Sequence, residues 1–305
     1  MNKKISFIIK LTVFIFSFIW LIFYKVMPQY STSYNAAIND KYARLKSINE
    51  PKIILVGDSN VAFGFDSKMI QDAFDMPVIN FGLHGGLGQI FHSNAIKKYI
   101  REGDIVILLP AIYRNKESDY VMAWMTVENN IKLLMDSSTG HFLDMFEAFP
   151  TYLRKLLHLF IQGTGNAVLD NTPYARKMFN ELGDNIYPRP KCVIVEDHYD
   201  SFYSSASLSN EMRDYWNDYN KYIISKKALL FMSCPPILQK TLVVDLHSMQ
   251  SQLENELAFP VISQLTNYVY PLEYFYDTGF HLNDYGKILR TKQFINDLKS
   301  VVPID

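Results

Sequence analysis

Cysteine is scarce in this chain: Cys192 and Cys234 are the only two among 305 residues. They form no C-x-x-C pair and no zinc-type spacing, so a dithiol redox centre or a cysteine-zinc site is excluded. Whether they pair or remain two thiols is left open by the sequence. An excess of one charge is also missing. The formal net charge is -1, and no Arg/Lys-rich tract with interleaved aromatics occurs. A nucleic-acid partner is therefore not expected. There is no internal repeat and no low-complexity tract. A G-x-S-x-G nucleophile elbow is absent as well, because Val61 stands where its second glycine would be. What remains is a globular composition, 49% hydrophobic and 20% charged, at a length that fits one sizeable α/β domain plus a tether, or two small domains.

The tether is visible at the N-terminus. Residues Ile5 to Phe23 read ISFIIKLTVFIFSFIWLIF, almost wholly apolar and long enough to cross a hydrocarbon core of about 30 Å. Lys10 lies near one end, where it can snorkel, and Trp20 and Tyr24 lie toward the other, where amphipathic rings favour the interface. The run ends in Phe23-Tyr24-Lys25-Val26-Met27-Pro28, which lacks the small residues of a signal-peptidase site. An uncleaved single-pass anchor over 5–24 follows as the expectation, with the lipid bilayer as partner. Lysines flank both ends, so positive charge does not set the orientation. The large following domain favours a periplasmic or extracellular location for residues 51–305, after a polar stalk or first helix over 25–50.

From Pro51 on, the pattern alternates. Lys52–Val56, Pro77–Phe81 and Asp104–Leu109 are short, apolar, β-branched runs, each closed by glycine or proline. Between them, Asp66 is placed to cap a helix over 67–74, and 88–101 has helical spacing before Glu102-Gly103 stops it. Ala228–Met232 reads as a fourth strand, and a helix from Asp284 to Leu298 closes the chain. Strand and helix alternating in this way predict an α/β fold with a parallel sheet sandwiched by helices, flavodoxin-like in type. Residues from about 115 to 225 break the rhythm and read as a helical, aromatic insertion over the strand ends, with a helix at 141–162.

Ligands of open α/β sheets bind beyond the carboxyl ends of the strands. Three motifs fall at such ends or where one would be. Gly57-Asp58-Ser59-Asn60 follows the first strand, placing a serine hydroxyl at a strand-to-helix turn with its N–H free to stabilise an oxyanion. Asn80-Phe81-Gly82-Leu83-His84-Gly85-Gly86 follows the second, and Gly82 is the expected second N–H donor. His84 and helical His92 read as structural. The third, Tyr276-Asp277-Thr278-Gly279-Phe280-His281, supplies a base and a carboxylate in one loop, with Asn283 able to cap the last helix.

Together these residues resemble the SGNH/GDSL hydrolase family. The serine stands in an early G-D-S block, Asn80, Gly82 and Gly85 match an N-x-G-x-x-G block, and Asp277 and His281 match the late Asp/His block before a helix. The resemblance covers about 51–109 and 228–300. It implies that Ser59 accepts an acyl group, His281 moves its proton and Asp277 orients His281. Two departures stand out. The family spacing D-x-x-H is D-x-x-x-H here, so either the loop bulges or another carboxylate serves. The family's G-x-N-D block has no clear equivalent after the third strand, where Tyr113 and Asn115 are the available substitutes.

Membrane-tethered members of this family, such as the teichoic-acid D-alanylation and alginate acetylation proteins, are similar in arrangement. The resemblance therefore implies an esterase or O-acyltransferase, with acetyl the expected group. The substrate would be a cell-envelope polysaccharide or other glycan ester, with a membrane acyl-donor protein as a partner and no metal or cofactor. The other reading is a catalytically degenerate protein of the same fold with a binding or assembly role.

Overall fold

The computed structural model describes residues 3–26, 31–111, 119–126, 130–161, 172–194, 207–242 and 245–302. Its N-terminal helix α1 (Lys3–Leu21) buries none of its side chains and has a mean hydropathy of 1.9. By length and composition it is able to cross a membrane. A wider π-type turn, Ile22–Val26, follows, and Ile22 and Phe18 pack against the main core of the domain.

The segment expected as a polar stalk or first helix contains α2 (Ala37–Ser47), which packs on the core of the domain. Ala37, Ile38, Tyr42 and Leu45 recur at helical spacing and are buried, so the stripe pins α2 onto the core. Then come β1 (Ile53–Gly57), α3 (Ser59–Gly64), α4 (Ser67–Phe74), β2 (Val78–Asn80), α5 (Gly88–Lys97) and β3 (Ile105–Leu109). The insertion carries α6 (Tyr120–Thr126), α7 (Ile131–Ser137) and α8 (Phe142–Ile161). After α9 (Asn210–Ser225) the chain forms β4 (Leu229–Met232), β5 (Ile237–Leu238), α10 (Leu246–Glu256), β6 (Val269–Tyr270) and α11 (Asp284–Lys299).

The four long strands form one parallel sheet in the order β2-β1-β3-β4. A single parallel bridge from Met232 to Val261 continues it past β4, and β5 pairs with β6 separately. Successive strand residues point to opposite faces, and the cores divide accordingly. Ile53, Leu55, Ile105 and Ile107 join α4 and α11 through Ile70, Phe74, Phe294 and Leu298. Ile54, Val56, Val106 and Leu108 join α2, α5 and α9 through Tyr42, Phe91, Trp216 and Ile223. The result is an α/β sandwich with helices on both faces.

Helix ends follow their capping chemistry. Asp66 Oδ1 accepts from Met69 N–H at 3.1 Å and starts α4 where the sequence placed it. α5 stops at Lys97, short of the expected Arg101. Tyr99 N–H turns to Ile96 at 2.8 Å and Arg101 N–H is taken by Asp104 Oδ2 at 2.9 Å, which removes the last turn.

At the amino ends of β1 and β3, Lys52 Nζ meets Asp104 Oδ2 at 2.8 Å, both side chains fully buried. Removing one member of such a pair strands a buried charge. Asp104→Asn is expected to lower unfolding stability by about 3–5 kcal/mol, read from the denaturant midpoint, without touching the opposite sheet edge.

Candidate active site

The chain runs from β1 one way to β2 and then crosses to β3 on the other side, so the strand order reverses between β1 and β3. Ligand crevices form at such switch points, and the G-D-S-N turn lies there. Asp58 Oδ1 accepts from Asn60 N–H at 2.9 Å and caps α3, while Oδ2 accepts from Ala111 N–H at 3.2 Å. Asn60 Nδ2 donates to Leu109 O at 3.0 Å. The turn after β1 is thereby tied to the end of β3. Arg290, buried on α11, locks it from below. Its Nη1 donates to Asn60 O at 2.7 Å and its Nη2 to Asn60 Oδ1 at 2.9 Å. Burial brings the Arg290 guanidinium down to about 10, against the pull of nearby tyrosines and Asp58.

Ser59 opens α3 and is half-buried. Its N–H is one of the helix's first amides and forms no bond to a described residue. One turn on, Phe63 shares its face of the helix. The His281 imidazole stacks on the Phe63 ring, with centroids 4.1 Å apart and planes within 10°. His281 thus packs on the α3 residue one turn beyond Ser59. No hydrogen bond joins Ser59 Oγ to His281 Nε2 among the described residues, which is common in unliganded sites whose bonds tighten with substrate.

The Asp277-His281 loop closes on itself. Phe275 and Leu282 form an antiparallel bridge, Tyr276 N–H donates to His281 O at 2.8 Å, and Thr278 Oγ1 accepts from the N–H groups of Phe280 and His281, each at 3.2 Å. In this bulged loop the D-x-x-x-H spacing still brings the carboxylate home. His281 Nδ1 lies 2.8 Å from Asp277 Oδ1. With Asp277 ionised, Nδ1 carries the proton and Nε2 is left with its lone pair, a tautomer assigned from the partner. Burial pushes Asp277 upward, but the bond and charge of His281 and the bond from Tyr174 outweigh it and hold the carboxyl below its ordinary range. Asn283 caps α11 by accepting from Tyr285 and Gly286 N–H, at 3.1 and 3.0 Å.

Sequence reasoning missed Tyr174. It comes from the insertion, donates its hydroxyl hydrogen to Asp277 Oδ2, and sits 3.3 Å from His281 Nδ1. Nothing in the surrounding N-T-P-Y-A-R marks it, because its partner is distant in sequence. Tyr174→Phe is expected to lower activity about tenfold, the size of one lost hydrogen bond to a charged group of about 1.5 kcal/mol. The rate of phosphonylation of Ser59 measures it. Phe63 was likewise not singled out in the sequence, where it is one more apolar residue of α3.

The glycine-rich loop departs from expectation. Gly82 N–H is already taken by Asn80 Oδ1 at 3.0 Å, so Gly82 is not a free oxyanion donor. Its lack of a side chain has another use: a Cβ there would sit 2.4 Å from Val61 Cβ and 2.8 Å from Asp58 O, so the loop could not close on α3. Gly85 stands nearer the role. Its N–H meets no described acceptor, and a Cβ built on it would lie 3.8 Å from Asp58 Cβ.

Asn80 is also occupied by structure, its Nδ2 donating to Val61 O at 2.9 Å and Asp184 Oδ1 at 2.8 Å. Buried Lys41 completes that network by donating to Asn80 O at 2.9 Å and to Gly183 O, and desolvation lowers its ammonium to about 7. His84 Nδ1 accepts from Gly86 N–H at 2.9 Å, and His92 Nδ1 pairs with Gly88 O at 2.9 Å, both local structural bonds. Tyr113 and Asn115 lie outside the described residues. Cys192 and Cys234 are both free thiols.

Comparison with protein-family models, curated proteins and solved structures gives no match to this chain.

Proposed function

We propose that this chain is a membrane-anchored serine esterase or O-acyltransferase of the SGNH type. The observation that supports it most is the 2.8 Å His281–Asp277 contact stacked on Phe63, one helical turn from Ser59 at the switch point of the sheet. The strand order β2-β1-β3-β4 also agrees with a flavodoxin-like sheet of that type. In the proposed reaction His281 Nε2 takes the Ser59 hydroxyl proton as Oγ attacks an acyl ester carbonyl. The Ser59 N–H, with Gly85 N–H as second donor, faces the developing oxyanion. The leaving alcohol takes the proton from His281, and water or a sugar hydroxyl then releases the acyl group from Ser59. Helix α1 holds the domain at the membrane, on the periplasmic or extracellular side, where acylated glycans of the envelope are the substrate class and a membrane acyl-donor protein is the partner class.

A binding or assembly role on a catalytically degenerate framework is the second reading, and the Gly82 amide held by Asn80 Oδ1, which removes an expected oxyanion donor, favours it. Full-length protein incubated with an aryl acetate and with an acetylated oligosaccharide separates the two. The enzymatic reading expects acetate release or transfer that disappears in Ser59→Ala. Equal rates in wild type and variant support the binding role.

A further inference from the structure

Helix α8 carries apolar side chains on two faces. One face, with Met145, Tyr152 and Leu156, is buried in the domain core. The other leaves Phe142, Leu143, Phe146 and Ile161 at 41, 77, 62 and 82% exposure. Phe142, Phe146, exposed Pro150 and Ile161 are spaced by three-to-four-residue steps or their multiples, so they form one stripe, with Leu143 beside it. Arg154 and Glu147 are exposed next to the stripe, with Asp144 and Lys155 exposed farther round the helix, so charges of both signs flank it. An exposed apolar stripe flanked by charged side chains is the pattern of a helix that lies in a membrane interface.

The position of α8 gives the stripe its occupant. The turn Ile22–Val26, which leaves the apolar helix α1, packs against α8. Trp20 stacks on Tyr24 with centroids 6.2 Å apart, and Lys25 Nζ lies 5.9 Å from the Trp20 ring, an interface-type cluster at that end of α1. The chain therefore reaches the membrane boundary where it touches α8.

We propose that α8 docks on the same bilayer that α1 spans, sinking its exposed stripe about 5–10 Å into the headgroup region and fixing the domain's tilt. This rests on the reading of α1 as a membrane anchor.

The test uses full-length protein carrying Cys192→Ser, with fully buried Cys234 left in place. It is reconstituted in phosphatidylcholine vesicles containing phosphatidylglycerol. An environment-sensitive fluorophore is attached at Phe14→Cys in α1, Phe146→Cys in α8, or Lys68→Cys in α4, which packs on the opposite face of the sheet. All three native side chains are exposed, so labelling spares the core. The Phe146 probe should be quenched several-fold more by lipids bearing a doxyl group near the headgroup than the Lys68 probe, and less by aqueous iodide. The Phe14 probe should respond to deep doxyl groups. With Phe14 quenched, iodide access at Phe146 equal to that at Lys68 overturns docking, and shielding from both quenchers overturns it in favour of a protein contact. An unquenched Phe14 probe overturns the anchor reading together with the proposal.

Discussion

Ser59→Ala is expected to abolish acyl turnover, a fall on the order of 10⁵-fold, because the members of a nucleophile-base unit lose nearly the whole of their joint contribution when one is removed. The fold should not register the change. The cap of α3 is Asp58 and not Ser59, and Ser59 Oγ holds no described partner, so the cost is below about 1 kcal/mol. Unchanged far-ultraviolet dichroism and melting, together with loss of ester turnover, are the expected pair of results. Activity retained in Ser59→Ala would place the nucleophile elsewhere.

Asp277→Asn is expected to be nearly as severe, about 10⁴-fold, because the amide can donate to His281 Nδ1 and leave the proton on Nε2, where it blocks uptake of the serine proton. Among the described residues Asp277 is the only carboxylate bonded to His281, so no other acid restores the tautomer. Tyr174 cannot replace it, since burial and the Asp277 charge hold its phenol protonated well above its ordinary range. Turnover measured across pH separates this from simple destabilisation. The pH profile of turnover should change shape in Asp277→Asn, while a merely unstable variant would keep the wild-type shape and lose amplitude.

The strands were legible because a buried parallel strand is a short apolar run with a turn residue behind it, and β1 to β4 each fall within a residue or two of that pattern. α4 and α11 were legible through their caps, Asp66 and Asn283. α2 falls in the segment read as a polar stalk or first helix, and the two stayed open because its polar residues outnumber its apolar ones. Only the spacing of Ala37, Ile38, Tyr42 and Leu45, seen against a core, reveals the buried stripe.

Among the candidate residues, Ser59, Asp277 and His281 were named from motif order, and the structure brings Asp277 and His281 into contact. The division of labour among Asn80, Gly82 and Gly85 could not be read that way, because it depends on which amide is already satisfied. Gly82 reads as a donor in sequence, and only the bond to Asn80 Oδ1 shows that its amide is taken. Tyr174 depends on a segment folding back across 103 residues to reach Asp277, a contact that no local spacing encodes.

The central claim, that Ser59 is a nucleophile activated by His281, is tested most directly by mapping the adduct of a fluorophosphonate probe on the full-length protein by peptide mass spectrometry. A phosphonyl group on Ser59, formed in wild type, strongly slowed in His281→Ala and absent in Ser59→Ala, is the predicted result. A wild-type protein that stays unmodified, or an adduct on another residue that persists in Ser59→Ala, would contradict it.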